Sequence, residues 1–390
     1  MKLVCMKDLL NHAAQTVQKA ISSKNTMPIL SGIYLSANSD ENKLELQATD
    51  YEMGISCTID ADVEIPGQIV LSGRYFQELV KRLPGEMVEI SSSQEDHTIK
   101  IVAGLSQFNL LSLPAEEFPV LQPMTQASAA SRSINWITVK DNVLKELIRK
   151  TTFACAAEES RPIFTGALLE TTTQDIRMIA TNTHRLAMKK YFCQENQEIA
   201  EASDQNQLSP ACQIIIPSKV LNELARLLTS ELPVDVNICW EKSKVSFSFE
   251  NVYFEARLIE GQYPDYNRVI PHEFTTTSTI NTSQFLDAVE RVSLMAKDGE
   301  YNVIKFQFQP DEIVITSNNP DIGKAYESIP VSINGNELTI AFNAKYVIDI
   351  LKNIGSTELE FSLNTPLSPA SIKPVQDENY TYVITPVRTS

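Results

Sequence analysis

Histidine is scarce in this chain of 390 residues, with four copies, and tryptophan scarcer, with two. The glycine-rich loops that hold phosphates or dinucleotides are missing: there is no G-x-x-x-x-G-K-[ST] and no G-x-G-x-x-G. Neither G-x-S-x-G nor H-E-x-x-H occurs, which removes the commonest signatures of serine hydrolases and zinc peptidases. The six cysteines, at 5, 57, 155, 193, 212 and 239, form no C-x-x-C pair. Their scatter predicts reduced core thiols in a cytoplasmic protein, with neither a disulfide framework nor a metal site, and no cofactor is expected. No run of about 18 apolar residues is present, so no membrane-spanning helix is expected. The opening Met1–Lys7 lacks the apolar stretch of a signal peptide.

These absences leave little for catalysis. His12 falls in a helical pattern, His97 in a polar loop and His272 in a linker; only His184 has a suggestive setting, in ATNTHRLA (180–187). A triad built on it lacks a serine or cysteine in an elbow context. Glu116 and Glu117 are adjacent in a loop, unlike the opposed carboxylates of a glycosidase. A hydrolase using His184 is therefore the weaker reading, and a non-catalytic protein the stronger.

What the chain does have is repetition. LSGRYFQELVKRL (71–83), IPSKVLNELARLL (216–228) and FNAKYVIDILKNI (342–354) share a base near the start, apolar residues at helical spacing, and bases near the end. The spacings of 145 and 126 residues from Arg74 to Lys219 to Lys345 make the unit a whole domain. Other landmarks recur in order. Each third opens with an amphipathic helix, expected over 6–21, 143–155 and 283–297. A strand-like run follows: PILSGI (28–33), PIFTGA (162–167) and, more loosely, NVIKF (302–306). Next comes a strand ending in a polar turn, QATD (47–50), IATN (179–182) and ITSN (315–318), and an alternating strand closes each third. The alternation predicts antiparallel sheets with one wet face and two helices per unit on the other, an α+β class. Three domains are expected, at 1–126, 127–262 and 263–390.

The net charge of −16 argues against a nucleic-acid binder taken globally. The distribution argues otherwise, because bases concentrate on the repeated helices. Arg74, Lys81 and Arg82 lie on one, Arg149 and Lys150 on the next, and Lys219 and Lys345 on the later copies, with Lys24 in a loop. A basic surface inside an acidic body is expected if the helices share a face; solvation of exposed helices is the alternative. A scaffold that binds peptides without DNA is a third reading.

Five islands carry a resemblance. TNTHRLA (181–187), YPDYNRVIP (263–271), TPLSPASI (365–372), YVITPVR (382–388) and LPAEEFP (113–119) make the chain similar to bacterial DNA polymerase III beta subunits, the sliding clamps, over essentially its whole length. The resemblance implies the DNA clamp fold in a homodimeric ring, with helices lining the hole and sheets outside. Such a ring encircles duplex DNA without reading sequence and acts as a processivity factor. Its implied partners are the polymerase III alpha subunit, the clamp loader delta subunit and other proteins with a clamp-binding motif, with no membrane partner. The implied DNA-facing residues are the eight bases above. The implied dimer contact lies near Phe108, Leu110 and Leu294. A peptide pocket is implied from Phe164, Thr181, Thr183, His184, Arg185 and Leu186, with Pro264, Arg268 and Val269, and with Leu367, Pro369, Val383, Thr385, Pro386, Val387 and Arg388. Asn182 and Thr183 stand where the family commonly has Asp-Gly.

Overall fold

The computed structural model describes residues 1–21, 27–93, 98–124, 134–158, 160–172, 174–192, 212–296 and 302–388. The chain forms two compact units, one of Met1–Asn142 with Arg226–Leu258 and one of Val143–Ala225 with Ile259–Ser390.

In the first unit, thirteen antiparallel strands form one sheet. At one end it runs through Asn135–Lys140, Asp235–Trp240, Lys244–Phe249 and Val252–Arg257. The next strand is Met53–Asp60, which pairs with Val252–Arg257 from nearly 200 residues away, Gly54 lying opposite Glu255. The helices Lys7–Gln18 and Gly73–Arg82 pack on each other. Leu10, Ala13, Ala14 and Val17 are all fully buried, the i, i+3, i+4, i+7 stripe that turns one helix face to the core.

The second unit holds a nine-stranded and a four-stranded sheet, also antiparallel. In the larger, Arg185–Phe192 pairs with Tyr380–Ile384, placing Leu186 opposite Val383. Among the described residues the helices here are Asp141–Thr151 (its first two residues count with the first unit), Ser218–Leu227 (its last two likewise), Thr282–Ser293 and Ala344–Asn353. Asn281 and Asn343 start the last two: their side-chain oxygens accept from the amides of Gln284 at 3.0 Å and Lys345 at 2.9 Å. Phe285, Phe306, Phe342 and Phe361 pack edge-on, tilted and stacked into one aromatic cluster.

Two expectations are adjusted. The opening helices are shorter than expected, at Lys7–Gln18, Asp141–Thr151 and Thr282–Ser293. In the second, Thr151 and Thr152 donate their hydroxyls back to the carbonyls of Leu147 and Ile148, and the chain tightens into a 3-10 turn. The PILSGI and PIFTGA runs are strands only from the glycine onward; Pro28–Ser31 and Pro162–Thr165 are 3-10 turns. Proline fixes φ and brings no donor, and Ser31 and Thr165 return their hydroxyls to the proline carbonyls at 2.6 and 2.7 Å. The glycine then lets two strands approach: a β-carbon at Gly32 would lie 2.3 Å from a Val70 methyl.

Candidate functional site

The strand pairing of the second unit creates a cavity of about 550 Å³. One wall is the turn 181–186, which leads into the Arg185–Phe192 strand. Thr181 donates its hydroxyl to the Arg185 carbonyl at 2.6 Å, and the side-chain oxygen of Asn182 accepts from the amides of His184 and Arg185 at 3.1 Å each. The turn forces Thr183 to a φ of 76°. That left-handed conformation suits glycine, and a β-branched residue there carries strain of about 1–3 kcal/mol.

A second wall is the connector 263–271. Tyr263 and Tyr266 are buried and join Leu168, Ile179, Leu186, Ile215 and Val383 in one apolar cluster. The Tyr266 hydroxyl donates to Glu170 at 2.5 Å and accepts from Arg177 at 3.2 Å, and Arg177 itself donates three hydrogen bonds to Asp175. Burial is the first cause that pushes the Tyr266 phenol up to about 12, so it stays a neutral donor at physiological pH. The short 3-10 turn Tyr266–Val269, capped by Asp265 on the Asn267 amide, leaves Val269 half exposed at the rim. The third wall is Val383 and Thr385, with Asn364, Ser368 and Pro369 from the preceding loop.

Of the residues implied from sequence, Phe164, Thr181, Thr183, Arg185, Leu186, Pro264, Arg268, Val269, Pro369, Val383 and Thr385 line the cavity. The other five lie outside its lining. His184 stacks on Tyr346 and gives its carbonyl to the Thr385 amide at 2.9 Å. Leu367 is exposed, Pro386 is half-buried, Val387 donates its amide to the Ala341 carbonyl, and Arg388 is exposed. Tyr263, Asp265, Tyr266, Ile270, Pro271, Asn364 and Ser368 line the cavity unforeseen. The connector residues among them sit within the YPDYNRVIP island, so the signal was present.

Arg185 does not turn its charge into the cavity. Only 6% exposed, it pairs with Asp349 at 2.5 Å, donates to the Phe153 carbonyl, and lies 4.5 Å from the Tyr346 ring centre. Lys189, on the same strand, is 4% exposed and pairs with Asp377 at 2.5 Å. Two buried cations thus fasten this strand to the third domain.

Among the helix bases, Arg74, Lys81, Arg82, Arg149, Lys219 and Lys345 are exposed, Arg82 being paired with Glu78 at 2.7 Å. Lys150 is half-buried: its ammonium donates to the Ile354 carbonyl and sits 5.2 Å from the Tyr380 ring centre. Burial lowers its affinity for a proton. Lys24 lies outside the described residues. Lys81, Arg82, Arg149 and Lys150 occupy last helical turns, where they also complement the helix dipole.

Several strands have one neighbour only among the described residues, and two of these edges lie at the implied dimer residues. Residues 106–111 of the Ser106–Leu113 strand pair solely with Thr98–Ala103, exposing Phe108 and Leu111. Gly323–Pro330 pairs solely with Glu312–Asn319, exposing Tyr326, and Leu294 is half exposed at the end of the helix packed on it. No group of three or more His, Cys, Asp or Glu among the described residues is placed to hold a metal, and no helix among them is long and apolar enough to cross a membrane.

Comparison with known proteins matches the geometry. Three family profiles align in order: DNA polymerase III beta subunit, N-terminal domain over 1–122, central domain over 138–265, and C-terminal domain over 267–388. The beta sliding clamp of Bacillus subtilis (strain 168) is 37% identical over 399 residues, and that of Staphylococcus epidermidis 33% over 398, each alignment covering all of both chains. The solved sliding clamp of Bacillus subtilis superposes with a TM-score of 0.89 at 35% identity, and the polymerase beta subunit of Streptococcus pyogenes with 0.90 at 29%, both over the full length of each chain. The sheets and helix pairs are therefore those of a three-domain clamp fold, and the chain belongs to the DNA polymerase III beta subunit, or sliding clamp, family.

Proposed function

We propose that this protein closes as a homodimeric ring around duplex DNA in the cytoplasm and tethers partner proteins through the cavity of its second unit. As a sliding clamp it is a non-catalytic processivity factor of DNA replication; the ring, its contacts and its partners are what the proposal adds. Domains near 1–126, 127–262 and 263–390 are the working division.

The reading rests above all on the cavity. It is walled by two strands and a connector, apolar inside, with threonine and serine hydroxyls among its lining, the make-up of a site for an extended peptide with a hydrophobic anchor. Its occupants would be the polymerase III alpha subunit, the clamp loader delta subunit and other proteins carrying such a segment. The exposed helix bases would meet phosphates without reading bases. The 106–111 and 323–330 strand edges would join between chains, bringing Phe108 and Leu110 of one protomer to the strand beside Leu294 of the other. The internal repeat suggests the register. Phe254 opposite Ile55 and Tyr382 opposite Ala187 map onto Phe108 opposite Tyr326.

The test is binding of a fluorescein-labelled hexapeptide with a leucine anchor, followed by anisotropy. Micromolar affinity, about 8 kcal/mol, is expected. Deleting residues 385–390 takes Thr385 from the third wall, unties the last strand from the His184 carbonyl, and should abolish binding while the dimer persists. Full affinity in that truncation refutes the assignment.

A further inference from the structure

The first unit contains a second copy of the docking scaffold, built where Met53–Asp60 pairs with Val252–Arg257. The copy extends to individual hydrogen bonds. Thr49 donates to the Met53 carbonyl at 2.8 Å, as Thr181 does to Arg185. The Tyr51 amide reaches the Thr49 hydroxyl at 3.1 Å, matching Thr183 and Thr181. Asp50 accepts from the amides of Glu52 and Met53 as Asn182 does from His184 and Arg185. Tyr51 has a φ of 71° against 76° at Thr183. The Arg257 amide meets the Glu52 carbonyl at 2.9 Å, as Thr385 meets His184. Phe118 and Pro119 take the places of Tyr263 and Pro264.

The contents of the copy differ. Its cavity is about 270 Å³, half that of the other. Where Leu186 faces Val383, Gly54 faces Glu255. Glu255 is 9% exposed and held by the Tyr253 hydroxyl at 3.0 Å and the Lys244 ammonium at 3.2 Å. The space left by Gly54 is taken by Leu121: a β-carbon at 54 would lie 2.5 Å from a Leu121 methyl. The segment carrying Leu121 is tied down by its amide on Gln47 at 2.9 Å and by the Met124 amide on the Tyr253 hydroxyl at 3.1 Å. A paired carboxylate on the floor makes seating an apolar anchor there costly, because it would strip water from the ion pair without offering hydrogen bonds.

We infer that the first joint is a silenced copy of the peptide pocket, and that Glu255 with Lys244, and Leu121 seated over Gly54, limit each chain to one docking site. The inference rests on the peptide-docking reading of the second unit. The test titrates the same fluorescein-labelled leucine hexapeptide against the full chain. Wild type should bind one peptide per chain, and the triple variant Glu255→Val, Lys244→Leu, Leu121→Ala should bind two. With residues 385–390 deleted, the wild-type joint should bind none and the triple variant one. A folded triple variant that gains no site, or a wild type that binds two, overturns the inference. Binding by wild type that survives the deletion at one per chain defeats the docking reading instead. Hydrogen exchange on the wild type gives a measurement independent of the variant's folding. The Leu121 and Met124 amides should be protected and unchanged at saturating peptide; exchange at unprotected loop rates overturns the inference.

Discussion

Replacing Asp349 by alanine should cost this protein far more than removing a surface charge. Asp349 is the counterion of Arg185, whose side chain is 6% exposed and enclosed by Phe153 and Tyr346. Stripping one partner from a buried pair costs about 3–5 kcal/mol, because the remaining charge stays desolvated. Asp349 retains 26% exposure, so water can partly replace it, and the lower end, about 3 kcal/mol, is expected. For a unit of about 150–250 residues each kcal/mol moves the melting temperature by about 2–4 °C, giving a fall of about 6–12 °C. Calorimetry of the single variant and of Arg185→Met with Asp349→Leu tests the cause. The double replacement removes both charges and should recover most of the loss. A fall equivalent to less than about 1 kcal/mol in Asp349→Ala would mean the pair behaves as a solvated one, and the picture of a strand fastened by buried cations would be wrong.

Other perturbations follow from the same coordinates. Leu294→Asp should shift the sedimenting species toward monomer at low micromolar concentration, since Leu294 is half exposed beside the free 323–330 edge; an unchanged dimer misplaces the contact. Replacing Arg74, Lys81 and Lys345 by alanine should lower the slope of log affinity for DNA against log salt by about 0.9 per phosphate contact, hence by about 2.7; an unchanged slope puts them off the DNA path. Burial pushes the thiols of Cys5, Cys57, Cys155 and Cys212 up to about 12 from an ordinary value of 9. Above pH 9 the unfolded chain releases these protons and the folded chain keeps them. Stability is full below pH 9 and declines toward 12, by up to about 1.4 kcal/mol per pH unit for each thiol. A melting temperature that stays flat from pH 8 to 10.5 contradicts this.

Much of the architecture was legible because it depends on short-range pattern. The helix stripe of Leu10, Ala13 and Val17 and the alternating strands declare themselves through periodicity. The repeat shows that the same unit recurs. The cavity lining was legible where its walls are contiguous in sequence, as in 181–186 and 263–269. Asn364 was missed because it precedes the TPLSPASI island on a loop that no periodicity marks, whereas Ser368 lies within that island. Arg185 read as a pocket charge because its destination, Asp349, is 164 residues away. Lys150 read as a phosphate contact for the same reason. Its partner is a main-chain carbonyl at Ile354, which no side-chain pattern can announce.

If the proposed edge contact joins the chains, it also decides how this protein polymerises. An edge on the first unit that fits an edge on the second is a head-to-tail contact, and such a contact has two outcomes. If the curvature of the chain brings the second contact into register, two copies close and growth stops. If the curvature is off by a modest angle, the same hydrogen bonds propagate copy after copy into an open fibre. Substitutions that loosen the buried cations without touching either edge would therefore not yield monomers. They would yield filaments with native edge pairing, and electron microscopy would find them where sedimentation reports only loss of the dimer.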